Sequence, residues 1–209
     1  APARPATTGP LTAQSLIEDL KRLEGFAVMV AAGLLFVVLT FLSWTSTKLT
    51  FIDQASGGTV NVEGDSNAWD GDGAWLIRGW EANIENVDMV LRSQSPDAGS
   101  DMVLLLPVLL AAVGVAGAMR MGKPVARGGE IALGAAGLLS ALMVGEVMHI
   151  NGVIDDLEGL FAQYGVLFEG SIGFGMYAAT AAALGVAFGA FRFFQAGRTS
   201  ATAGGPPAF

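Results

Sequence analysis

The sequence predicts an all-α membrane protein: four transmembrane helices with a small extracytoplasmic α+β cap built from the first outer loop. Three observations predict it. Four apolar segments, at about residues 25–44, 102–119, 131–150 and 171–194, are each long enough as helices to cross about 30 Å of hydrocarbon. Only 14% of the 209 residues are charged, against about 25% in an ordinary soluble domain. Met102 to Met119 contains no charged side chain and shows no polar face, so it does not read as a helix on a water-facing bundle. A backbone in lipid must satisfy its own hydrogen bonds, which favours helices for all four segments.

The basic residues set the orientation. Arg4, Lys21, Arg22, Arg120, Lys123, Arg127, Arg192 and Arg198 fall on one side of these spans, and only Lys48, Arg78 and Arg92 on the other. By the positive-inside rule both termini and the 120–130 connection are cytoplasmic. Loops 45–101 and 151–170 are then extracytoplasmic, and the protein belongs in the plasma membrane.

Residues 1–14 are rich in Pro, Ala and Thr, and they contain no apolar stretch of the kind a cleavable signal peptide needs. The first span is therefore expected to target the chain, with 1–14 flexible. Ser15-Leu16-Ile17-Glu18 has the capping-box pattern. It predicts a short helix over 15–24, either lying in the cytoplasmic interface or forming the solvated first turns of the span. The transmembrane domain then covers 25–194. Span one ends at Trp44, where an interfacial aromatic belongs.

In the outer loop, Lys48–Ile52 and Gly58–Val62 read as two short strands, because Thr59-Val60-Asn61-Val62 alternates polar and apolar residues. A hairpin above the membrane follows. Leu76, Trp80, Ile84, Val87 and Leu91 recur at helical spacing, predicting an amphipathic helix over 74–92. Pro107 falls about a turn into span two, and Met121-Gly122-Lys123-Pro124 makes a tight turn that sets spans two and three antiparallel. Gly137, Ala141 and Gly145 in span three, and Ala181, Gly185 and Gly189 in span four, have the small-xxx-small spacing that lets helices approach closely. Phe188, Phe191, Phe193 and Phe194, with Arg192, close the last span at the cytoplasmic interface. The Gly/Ala/Thr/Pro-rich stretch 195–209 is expected to be a flexible tail.

Three groups of residues bear on function. Glu146 and His149 are three apart near the outer end of span three and so share a helix face. Ionisable groups at such depth face protein or water. The pair reads as interfacial, bonded to the outer loops or a partner; a proton or ion path and cofactor ligation are the alternatives. Glu-x-x-His is also the spacing of di-iron bundles, but His149 is the sole histidine, so the chain cannot build such a site alone.

The second group is Glu63, Asp65, Asn67, Asp70 and Asp72, whose oxygens suit Ca²⁺. Ala74 and Trp75 stand where an EF-hand needs a ligand and a glycine, so the stretch reads as a solvated acidic turn and no metal is expected. The third is Trp69, Trp75 and Trp80, joined by Ile84 on the amphipathic stripe. Tryptophan at this density marks a loop core, an interface anchor or a partner surface.

Neither a Walker motif, nor G-x-S-x-G, nor zinc spacing occurs, and there is no cysteine. No enzymatic activity and no cofactor are expected. Dispersed basic residues and a net charge of −8 argue against nucleic acid. The partners expected are the lipid bilayer and other integral membrane subunits. The function expected is that of an accessory or scaffolding subunit of a larger membrane complex. The alternative is a transporter or channel component with Glu146 and His149 on a polar path.

Phe41-Leu42-Ser43-Trp44, Val60-Asn61-Val62-Glu63-Gly64 and Asn67-Ala68-Trp69-Asp70, followed by three more spans, resemble a group of uncharacterised four-span proteins of high-GC Gram-positive bacteria. The resemblance implies a bacterial plasma-membrane protein and brings no catalytic residues. Claudin-like tetraspans share the layout, but their loop cysteine pair and Trp…Gly-Leu-Trp pattern are missing, so only the architectural analogy holds.

Overall fold

The computed structural model describes residues 13–52, 57–69, 102–123 and 125–203. The elements run α1 (Ala13–Leu39), β1 (Thr45–Ile52), β2 (Thr59–Ser66), α2 (Met102–Arg120), α3 (Gly128–Gln163), β3 (Leu167–Ile172) and α4 (Phe174–Ala203). Three of these helices are long and apolar enough to cross a membrane, over Asp19–Leu39, Gly128–Gln163 and Phe174–Arg198. The apolar stretch Leu104–Arg120 in α2 is shorter. The expected helix 74–92 lies outside the described residues.

Helix α1 is continuous from Ala13, so 15–24 is not a separate interfacial helix. The Ser15–Glu18 tetrad falls within its first turns. Ile17, Leu20 and Leu23 are exposed, so this stretch contributes little to the core.

Helices α1 and α4 pack antiparallel through glycines. A Cβ on Gly189 would lie 2.7 Å from the Met29 nitrogen, and one on Gly25 would lie 2.7 Å from the Phe193 nitrogen. At such contacts backbone meets backbone, which only glycine permits. Gly185 faces Ala32, continuing the expected stripe, while Ala181 is exposed. Helix α2 joins the bundle by seating Leu109 against Gly33 and Gly117 against the Phe26 ring. A turn with Gly122 at φ 74° leads toward α3. Ser140 of α3 lies within reach of the Ala183 carbonyl of α4 (3.1 Å) as well as its own helix's Ala136 carbonyl (3.0 Å).

Loop 151–170 is not a loop. Helix α3 has 36 residues, and only about 20 are needed to cross about 30 Å. Its extension stays helical because Ile150, Ile154, Leu157 and Phe161 form one buried stripe at spacings of four, three and four. Asp155, Asp156 and Glu158 occupy the exposed side. After Gly165, at φ 69°, the chain enters β3.

The expected hairpin forms and is longer than the alternation suggested. Strand β1 is central in a β2-β1-β3 antiparallel sheet, with Thr45 opposite Ser66 on one side and Ile172 on the other. The buried face of β1, Thr45, Thr47 and Leu49, looks toward the bundle. Phe168 stacks on Phe161 at 5.3 Å, and Gly170 leaves room for Ile154. The sheet therefore sits on the extension of α3, and its third strand comes from a segment expected to be loop.

The last helix begins at Phe174, three residues later than the expected 171, because 167–172 is committed to the sheet. It runs on to Ala203, so residues 195–203 are helical rather than part of a flexible tail.

Candidate functional site

The polar chemistry of the described residues gathers where the helices meet the sheet. Trp44 is the junction. Its amide donates to the Ser66 carbonyl (2.7 Å), its carbonyl accepts from the Gly173 amide (2.7 Å), and its indole Nε1 donates to the Leu39 carbonyl (3.3 Å). It is 2% exposed, so it is a core residue and not the interfacial anchor expected. The reason is that three chain segments converge on it, a tertiary fact that span-end statistics do not contain. Thr45 and Ser66 share a buried hydroxyl–hydroxyl hydrogen bond of 2.6 Å beside it, and Gly175 donates to the Ser43 carbonyl (3.0 Å).

Trp69 lies one layer out. Asn67 Oδ1 accepts from the Trp69 amide at 2.9 Å, a side-chain-closed turn that explains the Asn-Ala-Trp order. The Trp69 indole donates to Thr40 Oγ1 (3.0 Å), and Thr40 Oγ1 donates to the Val37 carbonyl (2.6 Å). The indole stacks on Phe41 with centroids 5.3 Å apart and planes 23° from parallel. Trp69 remains 40% exposed and Phe41 63%. The result is a rigid, outward-facing aromatic shelf at the end of α1. Sequence reasoning found Trp69 but missed Phe41 and Thr40; Phe41 looked like one more apolar residue of the span. Trp75, Trp80 and Ile84 lie outside the described residues.

Glu146 and His149 sit on α3 between its apolar stretch and its sheet-bearing extension. Glu146 is part-buried and His149 exposed. They do share the region of helix surface that three-residue spacing implies, next to buried Met143 and Ile150.

Asp65 is exposed on β2, opposite Ser46, and Glu63 faces Lys48 with 3.9 Å between charged atoms. The two acidic side chains thus belong to the solvent face of a strand. Asp70 and Asp72 lie outside the described residues. Among the described residues no three of His, Asp or Glu cluster as metal ligands would.

The two small-residue stripes part company. Gly185 and Gly189 are packed, but Gly137, Ala141 and Gly145 are exposed, and a Cβ at Gly137 or Gly145 would meet nothing within 4 Å. With Gly134, Leu138, Val144 and Met148, also exposed, they make one apolar face of α3. Among the described residues they do not mediate the close helix contacts that their spacing suggested.

No family model matches the sequence, and a search of the curated proteins finds no match.

Proposed function

We propose that the protein is a bacterial plasma-membrane protein of four spans, with α2 as the fourth crossing, acting as an accessory or scaffolding subunit of a larger membrane complex. In this reading the helix ends bearing Arg22, Arg127 and Arg198 are cytoplasmic, with both termini, and the sheet is extracytoplasmic. One observation carries the assembly reading. The face of α3 built on Gly137, Ala141 and Gly145 is apolar and unpartnered among the described residues, while the same spacing on α4 is used for helix contact. A face of this kind suits a helix of another integral subunit, because small residues let backbones approach and gain dispersion contacts that lipid chains give poorly. The Phe41–Trp69 shelf supplies a rigid aromatic surface at the sheet end, of a kind enriched at protein contacts.

The test is extraction from native membranes in mild detergent, followed by native electrophoresis and mass spectrometry of what co-migrates. A photo-crosslinking residue at Ala141 is expected to capture another membrane subunit, and one at exposed Leu184 on α4 is not. A lone monomer with no crosslink at Ala141 would sink the proposal. Because the chain has no cysteine, single cysteines at Lys48 and Arg127 report topology cleanly. An impermeant maleimide should label Lys48→Cys in intact cells and spare Arg127→Cys.

A second reading, a transporter or channel component, draws on the partial burial of Glu146 within a membrane-length helix. Proton or ion flux in liposomes that is unchanged by Glu146→Gln rules it out.

A further inference from the structure

At the end of the bundle opposite the sheet lies a cavity of about 240 Å³ between the start of α3 and the facing turns of α1, α2 and α4. Its lining includes three guanidinium-bearing residues, Arg22, Arg127 and Arg198, and one acid, Glu130. Phe193 and Phe194 form an aromatic wall. The Arg22 guanidinium carbon stands 5.4 Å from the Phe193 ring centre, and that of Arg198 stands 5.4 Å from Phe194. Such cation–π contacts hold the two guanidiniums against the aromatic wall.

Two further observations point to what the cavity takes. Arg22 Nε is buried and has no hydrogen-bond partner. A charged donor withdrawn from water without an acceptor is costly, and an anion held close to the guanidinium offsets that cost. Alongside it, the 36-residue helix α3 begins at Gly128 behind Arg127, which is left-handed at φ 53° and gives no side-chain cap. Gly128, Gly129 and Glu130, the first residues of α3, line the cavity, and the Gly128 amide already donates to the Val125 carbonyl (3.0 Å). A helix start of this kind carries partial positive charge. Gly197 makes the space: a Cβ there would come 3.1 Å from an Arg22 terminal nitrogen.

We propose that this cavity is a binding site for a phosphate ester of net negative charge, its oxygens taken by the Arg22 terminal nitrogens and the α3 N-terminus, with Arg127 and Arg198 at the rim. A space of about 240 Å³ is enough for a phosphate with a small ester substituent. Among the described lining residues three guanidiniums stand against one carboxylate. Guanidinium forks and helix starts both favour phosphate oxygens over neutral ligands. The ester group belongs either to an anionic lipid headgroup or to a soluble metabolite, and the chemistry is shared. The inference is independent of the assembly reading.

Native mass spectrometry of the full chain in detergent tests it, with phosphatidylglycerol, phosphatidylcholine and glycerol 3-phosphate as separate probes. Phosphatidylglycerol or glycerol 3-phosphate is expected to bind in preference to phosphatidylcholine. Arg22→Gln should weaken that binding about tenfold, the value of a charge-assisted hydrogen bond. Gly197→Leu should weaken it similarly by filling the cavity while keeping every charge, and Lys48→Gln at the sheet end should leave it unchanged. Arg127→Gln, at an exposed position, serves as a further variant should Arg22→Gln lower the melting temperature. Displacement of bound phosphatidylglycerol by glycerol 3-phosphate, or binding of the soluble ester alone, assigns the ligand to water; binding of the lipid without such displacement assigns it to the bilayer. Binding of neither anionic probe, or binding insensitive to both Arg22→Gln and Gly197→Leu, overturns the proposal.

Discussion

Two stripes of small residues, alike in spacing, have opposite fates in this molecule. On α4, Gly185 and Gly189 are pressed into α1, and the Met29 and Gly25 backbones leave no room for a Cβ on Gly189. On α3, Gly137, Ala141 and Gly145 look outward, and nothing of the described chain stands near the two glycines. The difference teaches that small-xxx-small spacing marks a surface prepared for close approach and does not say which neighbour approaches. In α4 the neighbour is within the chain, brought there by the strand that precedes the helix. β3 pairs with β1, the chain turns at Gly173, and α4 is thereby delivered antiparallel to α1. Among the described residues no comparable link brings a helix to the Gly137 face.

The contrast is broken most sharply by filling the packed stripe. Gly189→Leu would place its Cβ 2.7 Å from the Met29 nitrogen and 2.8 Å from the Gly25 carbonyl oxygen. Both are backbone atoms, so relief requires α1 and α4 to separate. A loss of about 3 kcal/mol is expected, the upper end of overpacking costs, read as a fall in melting temperature in detergent. Wild-type stability in Gly189→Leu would show that the α1–α4 seam is not the structural core described above.

The contrast also shows what could be read from the sequence. Uncharged stretches announced the helices, because lack of charge over about 18 residues is a local property of the chain. The hairpin was visible in Thr59–Val62 for the same reason. Polar residues concealed the extension of α3: Asp155, Asp156 and Glu158 suggested a loop, although Ile150, Ile154, Leu157 and Phe161 already had the helical repeat. β3 could not be read locally. Leu167–Ile172 contains Gly170 and Glu169, and it is a strand because β1 offers it an edge. At the candidate site, the Asn67–Trp69 turn was legible from two neighbouring residues, whereas the Phe41 stack and the burial of Trp44 depend on contacts across the fold. Spacing placed Glu146 and His149 on one helix surface, but the partial burial of one and exposure of the other are set by packing.

A smaller effect is expected at the sheet end, where the aromatic shelf is tied to α1. Trp69→Ala removes the stack on Phe41 and the hydrogen bond to Thr40, for a loss of about 2 kcal/mol. Trp69→Phe keeps the stack and loses only the hydrogen bond, so about half that loss is expected. Equal melting temperatures for the two variants would show that the stack contributes nothing. Smaller again is Ser140→Ala, which removes a buried hydroxyl shared between the Ala136 and Ala183 carbonyls. Interhelical hydrogen bonds in membrane proteins average about 0.6 kcal/mol, and a shift of that size is expected in the same melting assay.

The smallest effect on the isolated chain is expected at the outward stripe, and there it is the most informative. Gly137→Leu adds a side chain where nothing lies within 4 Å, so folding should change by no more than about 0.5 kcal/mol. Replacing a helix-interior glycine even favours the helix slightly. If the stripe is a docking face, the same substitution must hold a partner helix away, and the native assembly should dissociate while the melting temperature of the purified chain stays put. Gly189→Leu would lower both. A Gly137→Leu protein that melts normally and also migrates at the size of the wild-type assembly would show that the outward stripe meets only lipid, and would leave small-residue spacing with a single structural use in this molecule.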